Sequence, residues 1–91
     1  MRIRWTPRAA ADLDAIYEYL KEHHPHFIRR TMRQLYEAAF SLKTPPQRGR
    51  IGREEGTREL LCLPLPYISA YRFKSDSVKI LHIHHSAQAW R

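Results

Sequence analysis

The sequence contains little cysteine and has no long apolar run. One cysteine, Cys62, excludes an intramolecular disulfide and a cysteine-based zinc site. Because Cys62 lies in the apolar run LLCLPL, we expect a buried thiol rather than a nucleophile. Neither a signal-peptide core nor an apolar stretch long enough to span a membrane is present, which predicts a soluble, cytoplasmic protein with no membrane partner.

Acidic residues are scarce as well. Nine Asp and Glu stand against 16 Lys and Arg, which leaves a net charge of +7 on 91 residues. A field of this sign favours nucleic acid, an anionic surface or an acidic protein as a partner, although a basic surface kept only for solubility is also common. The length predicts a single domain over residues 1–91 with one small core.

The first half of the chain has the periodicity of two helices. The alternating RIRW (2–5) indicates a short strand, and Thr6-Pro7 then indicates a helix start. Pro25 ends this helix and begins a second one. The apolar faces predicted for the two helices are Ala9, Leu13, Ile16, Tyr17 and Leu20, and then Ile28, Met32, Leu35, Ala39 and Leu42.

The second half has the period of strands. Segment 47–56 holds all three glycines and is predicted to be a loop. Three apolar and β-branched runs follow at 57–64, 66–74 and 77–85. The order β-α-α-β-β-β predicts an α+β fold in which a helical hairpin packs on one face of a small, mainly antiparallel sheet.

The chain resembles the ParE/RelE superfamily of type II toxin–antitoxin toxins, and looks most like the ParE branch. The resemblance runs nearly end to end. It rests on W-T-P-x-A-x-x-D-L-x-x-I-x-x-Y-L (5–20), P-Q-R-G-R-x-G (46–52), G-T-R-E-L (56–60), P-Y-I-S-A-Y-R-F (66–73) and V-K-I-L-H-I-H-H-S-A-Q-A-W (78–90). The fold expected of this family is the one predicted above from periodicity.

The resemblance implies a growth-inhibiting toxin, associated with plasmid stabilisation, that needs no cofactor. Its partner would be a cognate acidic antitoxin that folds on binding and through which the toxin contacts DNA only indirectly. The family splits by target. ParE-like members inhibit DNA gyrase, whereas RelE-like members cleave mRNA in the ribosome, so an enzymatic activity is expected only in the second case.

The candidate catalytic residues for a RelE-like activity are one arginine and the C-terminal histidines. Arg58 matches the arginine that contacts the scissile phosphate in the nucleases, although it could equally be a surface arginine paired with Glu54 or Glu55. Strand alternation places Leu81 and Ile83 in the core and His82 and His84 on the open face, and it leaves open whether Arg58 shares that face. The set is Arg58, His82, His84 and His85.

A metal is not expected at these histidines. H-x-H on a strand supplies two ligands, and no cysteine or evident acid supplies a third. Acid–base use is favoured over metal binding, because a neutral imidazole suits proton transfer near pH 7. Contact with a partner, or a plain solvent-facing position, is the remaining alternative.

Several cations and one aromatic residue are candidates for binding a target or an antitoxin. The loop arginines can bind anions, or the loop can be a solvated connector, and it carries no interleaved aromatic side chains for base stacking. The candidates are Arg48, Arg50, Arg53, Arg58, Arg72 and Trp90. The leading hypothesis is a ParE-like toxin that binds a protein target. The alternatives are a RelE-like mRNA endonuclease and a decayed toxin that only forms complexes.

Overall fold

A computed structural model describes residues 1–88 of the chain. Within these 88 residues, two helices and five strands follow one another, with short 3-10 turns between them. In chain order they are β1 (Arg2–Trp5), α1 (Pro7–His23), α2 (Ile28–Phe40), β2 (Arg50–Ile51), β3 (Arg58–Leu61), β4 (Tyr67–Lys74) and β5 (Ser77–His85).

Helix α1 begins where the sequence predicts. The Thr6 hydroxyl accepts a hydrogen bond from the Ala9 amide at 3.1 Å, and Pro7 occupies the first helical position. At the other end, Pro25 opens a 3-10 turn, Pro25–Phe27, from which α2 continues. The predicted helical hairpin is therefore confirmed, and α2 proper begins at Ile28.

The strands form one sheet in the order β1-β5-β4-β3-β2. Strand β1 pairs with β5 in parallel, and the other neighbours are antiparallel. The α+β fold is confirmed. The predicted element order was wrong in one respect, because the segment 47–56 contains the two-residue strand β2. So short a strand has no periodicity of its own in the sequence.

The core lies between the helices and one face of the sheet. Its buried members include Leu13, Leu35, Tyr71, Val78 and Ile80. The predicted apolar faces are confirmed with one exception, since Tyr17 is 41% exposed. A tyrosine next to the buried stripe remains in water because α1 buries only a narrow face.

A β-bulge changes the phase of β5. Ala70 pairs with His82 but Tyr71 pairs with Ile80, so Leu81 is an extra residue without an opposite partner. Val78 and Ile80 before the bulge and Ile83 after it therefore all belong to the core. The prediction for Ile83 is confirmed. That for Leu81 was wrong, because strict alternation ignores the bulge and Leu81 is only half-buried.

The expectation for the one cysteine is confirmed. Cys62 is 3% exposed, and its Sγ lies 3.4 Å from the Ser69 hydroxyl. Burial raises the pKa of this thiol above its ordinary value, so the reactive thiolate is disfavoured. Within residues 1–88, no helix is both long enough and apolar enough to cross a membrane.

Candidate functional site: the open face of the sheet

The face of the sheet opposite the helices, here called the open face, is defined by the strand register. Residues directly opposite one another in a ladder point to the same side of the sheet. Two rows of such partners cross the open face, and they are Glu59–Ala70–His82 and Leu61–Ile68–His84. The prediction that His82 and His84 lie on the open face is therefore confirmed.

His82 and His84 form a pair. Their Nδ1 atoms are 3.4 Å apart and their ring centroids 5.3 Å apart. Burial lowers the pKa of both imidazoles below the ordinary value of 6.5. Arg8 lowers the pKa of His82 further, and His82 does the same to His84. The shift favours the neutral form of both rings, which is the form that can accept a proton.

Arg58 lies on the other face. It stands opposite Tyr71, which stands opposite the core residue Ile80. Whether Arg58 shares a face with His82 and His84 was left open by the sequence, and the register shows that it does not, because Arg58 is out of phase with Glu59, the residue that shares their face. The sequence could not reveal this, since the face of Arg58 depends on the pairing of β3 with β4.

The Arg58 guanidinium is occupied by the chain itself. Its Nη1 donates to the carbonyl oxygens of Gln47 at 3.1 Å and Gly49 at 2.8 Å, and its Cζ lies 6.0 Å from the Phe73 ring centroid. Neither Glu54 nor Glu55, the partners considered from the sequence, takes part in these contacts. Arg58 thus fastens the segment that leads into β2 rather than reaching into the open face.

A buried tyrosine fastens the same segment from within. The Tyr71 hydroxyl accepts from the Gly49 amide at 2.8 Å and donates to the Pro46 carbonyl at 2.6 Å. Gly49 is required here, because a Cβ at that position would lie 2.7 Å from the Tyr71 ring and 2.8 Å from the Glu59 carbonyl oxygen. The beginning of the predicted loop is therefore anchored.

The third C-terminal histidine is separate from the pair. His85 is exposed and makes an edge-to-face contact with Tyr67, with the ring centroids 5.6 Å apart. Its Nδ1 accepts a hydrogen bond from the Ala87 amide at 3.1 Å. Because it follows His84 in the alternation, it points toward the helix side. The three histidines therefore do not converge.

Two of the predicted loop arginines border a groove on the open face. Arg50 and Arg53 line a space of about 710 Å³ together with Leu61 and Ile68. The Arg50 Nη2 lies 3.0 Å from the Glu59 Oε1, so this guanidinium is fixed at the rim by an ion pair. Arg48 is directed elsewhere and donates to the Ser41 hydroxyl.

A row of cations on the open face was missed in the sequence. Arg4 of β1 stands beside Lys79 of β5, which stands opposite Arg72 of β4. All three side chains are exposed. Arg72 was a candidate, but Arg4 and Lys79 were not, because the parallel pairing of β1 with β5 joins distant parts of the chain. The polar positions of RIRW and SVKIL were the signal available.

Trp90 lies outside the described residues. As for a metal, no group of three or more His, Cys, Asp or Glu side chains comes together within residues 1–88.

The open face brings cations and an imidazole pair together. It presents the row Arg4–Lys79–Arg72, the groove arginines and the pair His82 and His84. Arg58, the arginine that matches a phosphate-binding role, is held on the opposite side of the sheet. The charge of the open face suits contact with an anionic group.

Comparison with known sequences finds toxins that are similar to this chain. One relative is the putative toxin Y4kP of Sinorhizobium fredii, 40% identical over 89 residues, which are 98% of this chain and 92% of that protein. Another is the toxin RelE2 of Caulobacter vibrioides, 38% identical over 87 residues, or 96% of this chain and 97% of the relative.

Solved structures of similar fold are also known. A chain of the chromosomal ParDE TA system from P. aeruginosa superposes with a TM-score of 0.82 at 31% identity, covering 93% of this chain and 95% of that one. YafQ from E. coli shares the fold, with a TM-score of 0.53, 13% identity and 96% of each chain covered. Residues 3–90 match the family described as the ParE toxin of the type II toxin–antitoxin system parDE. This chain belongs to the ParE family of type II toxin–antitoxin toxins.

Proposed function

We propose that this toxin acts by binding a protein target, DNA gyrase by family resemblance, and not by cutting RNA. One observation carries the proposal: Arg58 lies on the helix-covered face, whereas His82 and His84 lie on the open face. A RelE-like site would need these groups around one phosphate. The sheet itself separates them.

The chemistry of RNA cleavage explains why this separation supports the proposal. Cleavage at a ribose 2′-hydroxyl needs a base at hydrogen-bond distance, an acid for the leaving oxygen and a cation on the phosphate. The imidazole pair supplies groups for proton transfer, but Arg58 is bonded to the carbonyls of Gln47 and Gly49. Moving Arg58 to the open face would require a change in the register of β3.

The cognate antitoxin is proposed to cover part of the open face. Membership of the family implies an antitoxin partner, and the row Arg4–Lys79–Arg72 together with Arg50 and Arg53 gives that face a positive potential. An acidic segment that is disordered when free would gain charge complementarity and fold on binding. Contact with DNA would then be indirect, through the antitoxin, and the complex would be cytoplasmic.

A paired assay tests the proposal. Purified toxin is added to a gyrase supercoiling reaction, and mRNA 5′ ends are mapped by primer extension after toxin induction. Relaxed plasmid with intact mRNA is the expected result. Codon-phased cuts in mRNA with unaffected gyrase would overturn the proposal.

The second candidate is a RelE-like mRNA endonuclease. It is favoured by the 38% identity to a protein named toxin RelE2 and by the two neutral imidazoles. Such an enzyme would have to hold the phosphate with open-face cations such as Arg50 or Arg72 in place of Arg58. Absence of any effect on growth would instead favour a decayed toxin that only binds its antitoxin.

A further inference from the structure

The pair His82 and His84 has a geometry that goes beyond the proposed function. We propose that the two Nδ1 atoms together bind one divalent transition-metal ion of the zinc, nickel and copper group, with water in the remaining coordination positions. The inference does not depend on the identity of the toxin's target.

The separation of the two nitrogens carries the proposal. At metal–nitrogen distances of about 2.0–2.1 Å, two ligands in a tetrahedral site stand roughly 3.3–3.4 Å apart. The two Nδ1 atoms are 3.4 Å apart. A hydrogen bond between nitrogen atoms at this distance would be long, since protein hydrogen bonds from N–H groups are usually about 2.7–3.2 Å. The distance fits a shared ion better than a shared proton.

The backbone fixes the positions of the two histidines before any ion arrives. His82 and His84 stand opposite Ala70 and Ile68 in the β4–β5 ladder. On the other side of β5, the Asp12 carboxylate accepts a hydrogen bond from the Ile83 amide at 2.8 Å, and this bond fixes the residue between the two histidines. The backbone therefore needs little further ordering when a metal binds, which limits the entropic cost of binding.

Charges of both signs surround the pair, on a chain of net charge +7. The carboxylates of Asp12, Glu54 and Glu59 favour a positive charge there, whereas the guanidiniums of Arg8 and Arg53 oppose it. Glu59 is also ion-paired with Arg50. The proposal therefore rests on the placement of the two nitrogens and not on the surrounding field.

The number of ligands limits the strength of the site. Among the residues that the structure describes, no third His, Cys, Asp or Glu joins the pair. The observed separation suits tetrahedral Zn²⁺ directly, whereas Cu²⁺ and Ni²⁺ favour tetragonal geometry and would require the two rings to move closer together. The site is therefore expected to exchange its ion with solvent, unlike a closed structural zinc site.

Calorimetric titration of tag-free toxin with NiCl₂ and ZnCl₂ tests the proposal. One ion per chain is expected. His84→Gln removes one arm of the chelate and should weaken binding by about 100-fold. His85→Gln is the matched control, because it removes the neighbouring histidine on the other face and should leave the affinity unchanged. Circular dichroism establishes that each variant is folded.

Nitrogen-15 NMR of the imidazoles supplies a readout that does not depend on the variants. Zinc should shift the Nδ1 resonances of His82 and His84 and leave those of His26 in place. The proposal is overturned if the wild type binds neither metal, if His84→Gln binds as well as the wild type, or if the shifts fall on other histidines.

Discussion

The two faces of this sheet are built from the same strands but differ in almost every property. The face under the helices buries Tyr71, Val78 and Ile80 with no measurable exposure. The open face carries the cations Arg4, Lys79 and Arg72 and the histidine pair. One face builds the core, and the other is the face proposed to contact partners. This difference means that the role of a residue in this sheet can be assigned only when the face on which its side chain lies is known.

The bulge at Leu81 is what keeps the two faces distinct along β5. Without it, the residues in phase with Val78 and Ile80 would be His82 and His84, and the pair would point into the core. The extra residue instead brings Ile83 under the helices and turns the histidines outward. A single-residue irregularity therefore decides where the imidazoles are available.

The largest expected effect compares two isoleucines. Ile80→Ala on the helix-covered face leaves a cavity in the core and should lower the free energy of unfolding by about 3 kcal/mol. Ile51→Ala, at a residue that is 80% exposed, should change it by less than about 0.5 kcal/mol. Urea unfolding measures the free energy of unfolding of each variant. Equal losses in the two variants would contradict the difference between the buried and the exposed isoleucine.

A smaller loss is expected for Tyr71→Phe. The substitution removes the hydroxyl that serves the Gly49 amide and the Pro46 carbonyl, and the unpaired buried groups should cost about 2 kcal/mol. Tyr17→Phe, at an exposed tyrosine of α1, is the control and should be neutral. Faster amide hydrogen exchange at Gly49 in Tyr71→Phe is the second readout. Unchanged exchange there would argue against the anchoring role.

Asp12→Ala should have a more modest effect. It removes the carboxylate that accepts from the Ile83 amide and so detaches α1 from the edge of β5, at a cost of about 1.5 kcal/mol. Asp12→Asn keeps an acceptor oxygen and should recover part of the loss. Asp14→Ala, on the exposed side of the same helix, is the control for charge. Thermal unfolding at constant pH compares the three, and an equal loss in Asp14→Ala would contradict the account.

The smallest effect is on the pH dependence of stability. Because the pKa of His82 and of His84 is lowered in the folded state, the unfolded chain binds protons first as the pH falls below 6.5. Their contribution is fully present above 6.5 and is lost between that value and the lowered pKa. The double variant His82→Gln/His84→Gln should therefore lose less stability than the wild type between pH 7.5 and about 5. If the free energy of unfolding fell with pH equally in the wild type and the double variant, the lowered pKa values of His82 and His84 would be contradicted.

Much of the fold follows from local sequence signals. Thr6-Pro7 predicts the start of α1, and the spacing of Leu13, Ile16 and Leu20 predicts its buried face, because both depend on neighbours within one helical turn. The pairing partners of strands are not local. For that reason the sequence could predict neither the bulge at Leu81 nor the row formed by Arg4 and Lys79.

The candidate site likewise depends on strand pairing that local sequence signals do not predict. Alternation counted from Ile83 places His82 and His84 outward, but the same count from Val78 and Ile80 would place them in the core, so the bulge at Leu81 decides their face. The face of Arg58 depends on the register of β3 against β4, for which the sequence carries no separate signal. A motif that matches a nuclease arginine therefore occurs here in a different structural role, with its donors on the carbonyls of Gln47 and Gly49.

The most direct measurement uses the open face itself. The double variant His82→Gln/His84→Gln is induced beside the wild type, and growth is followed while mRNA 5′ ends are mapped by primer extension. A ParE-like binder predicts growth arrest in both strains and intact message throughout. Codon-phased cuts with the wild type that disappear in the double variant, together with restored growth, would contradict the account.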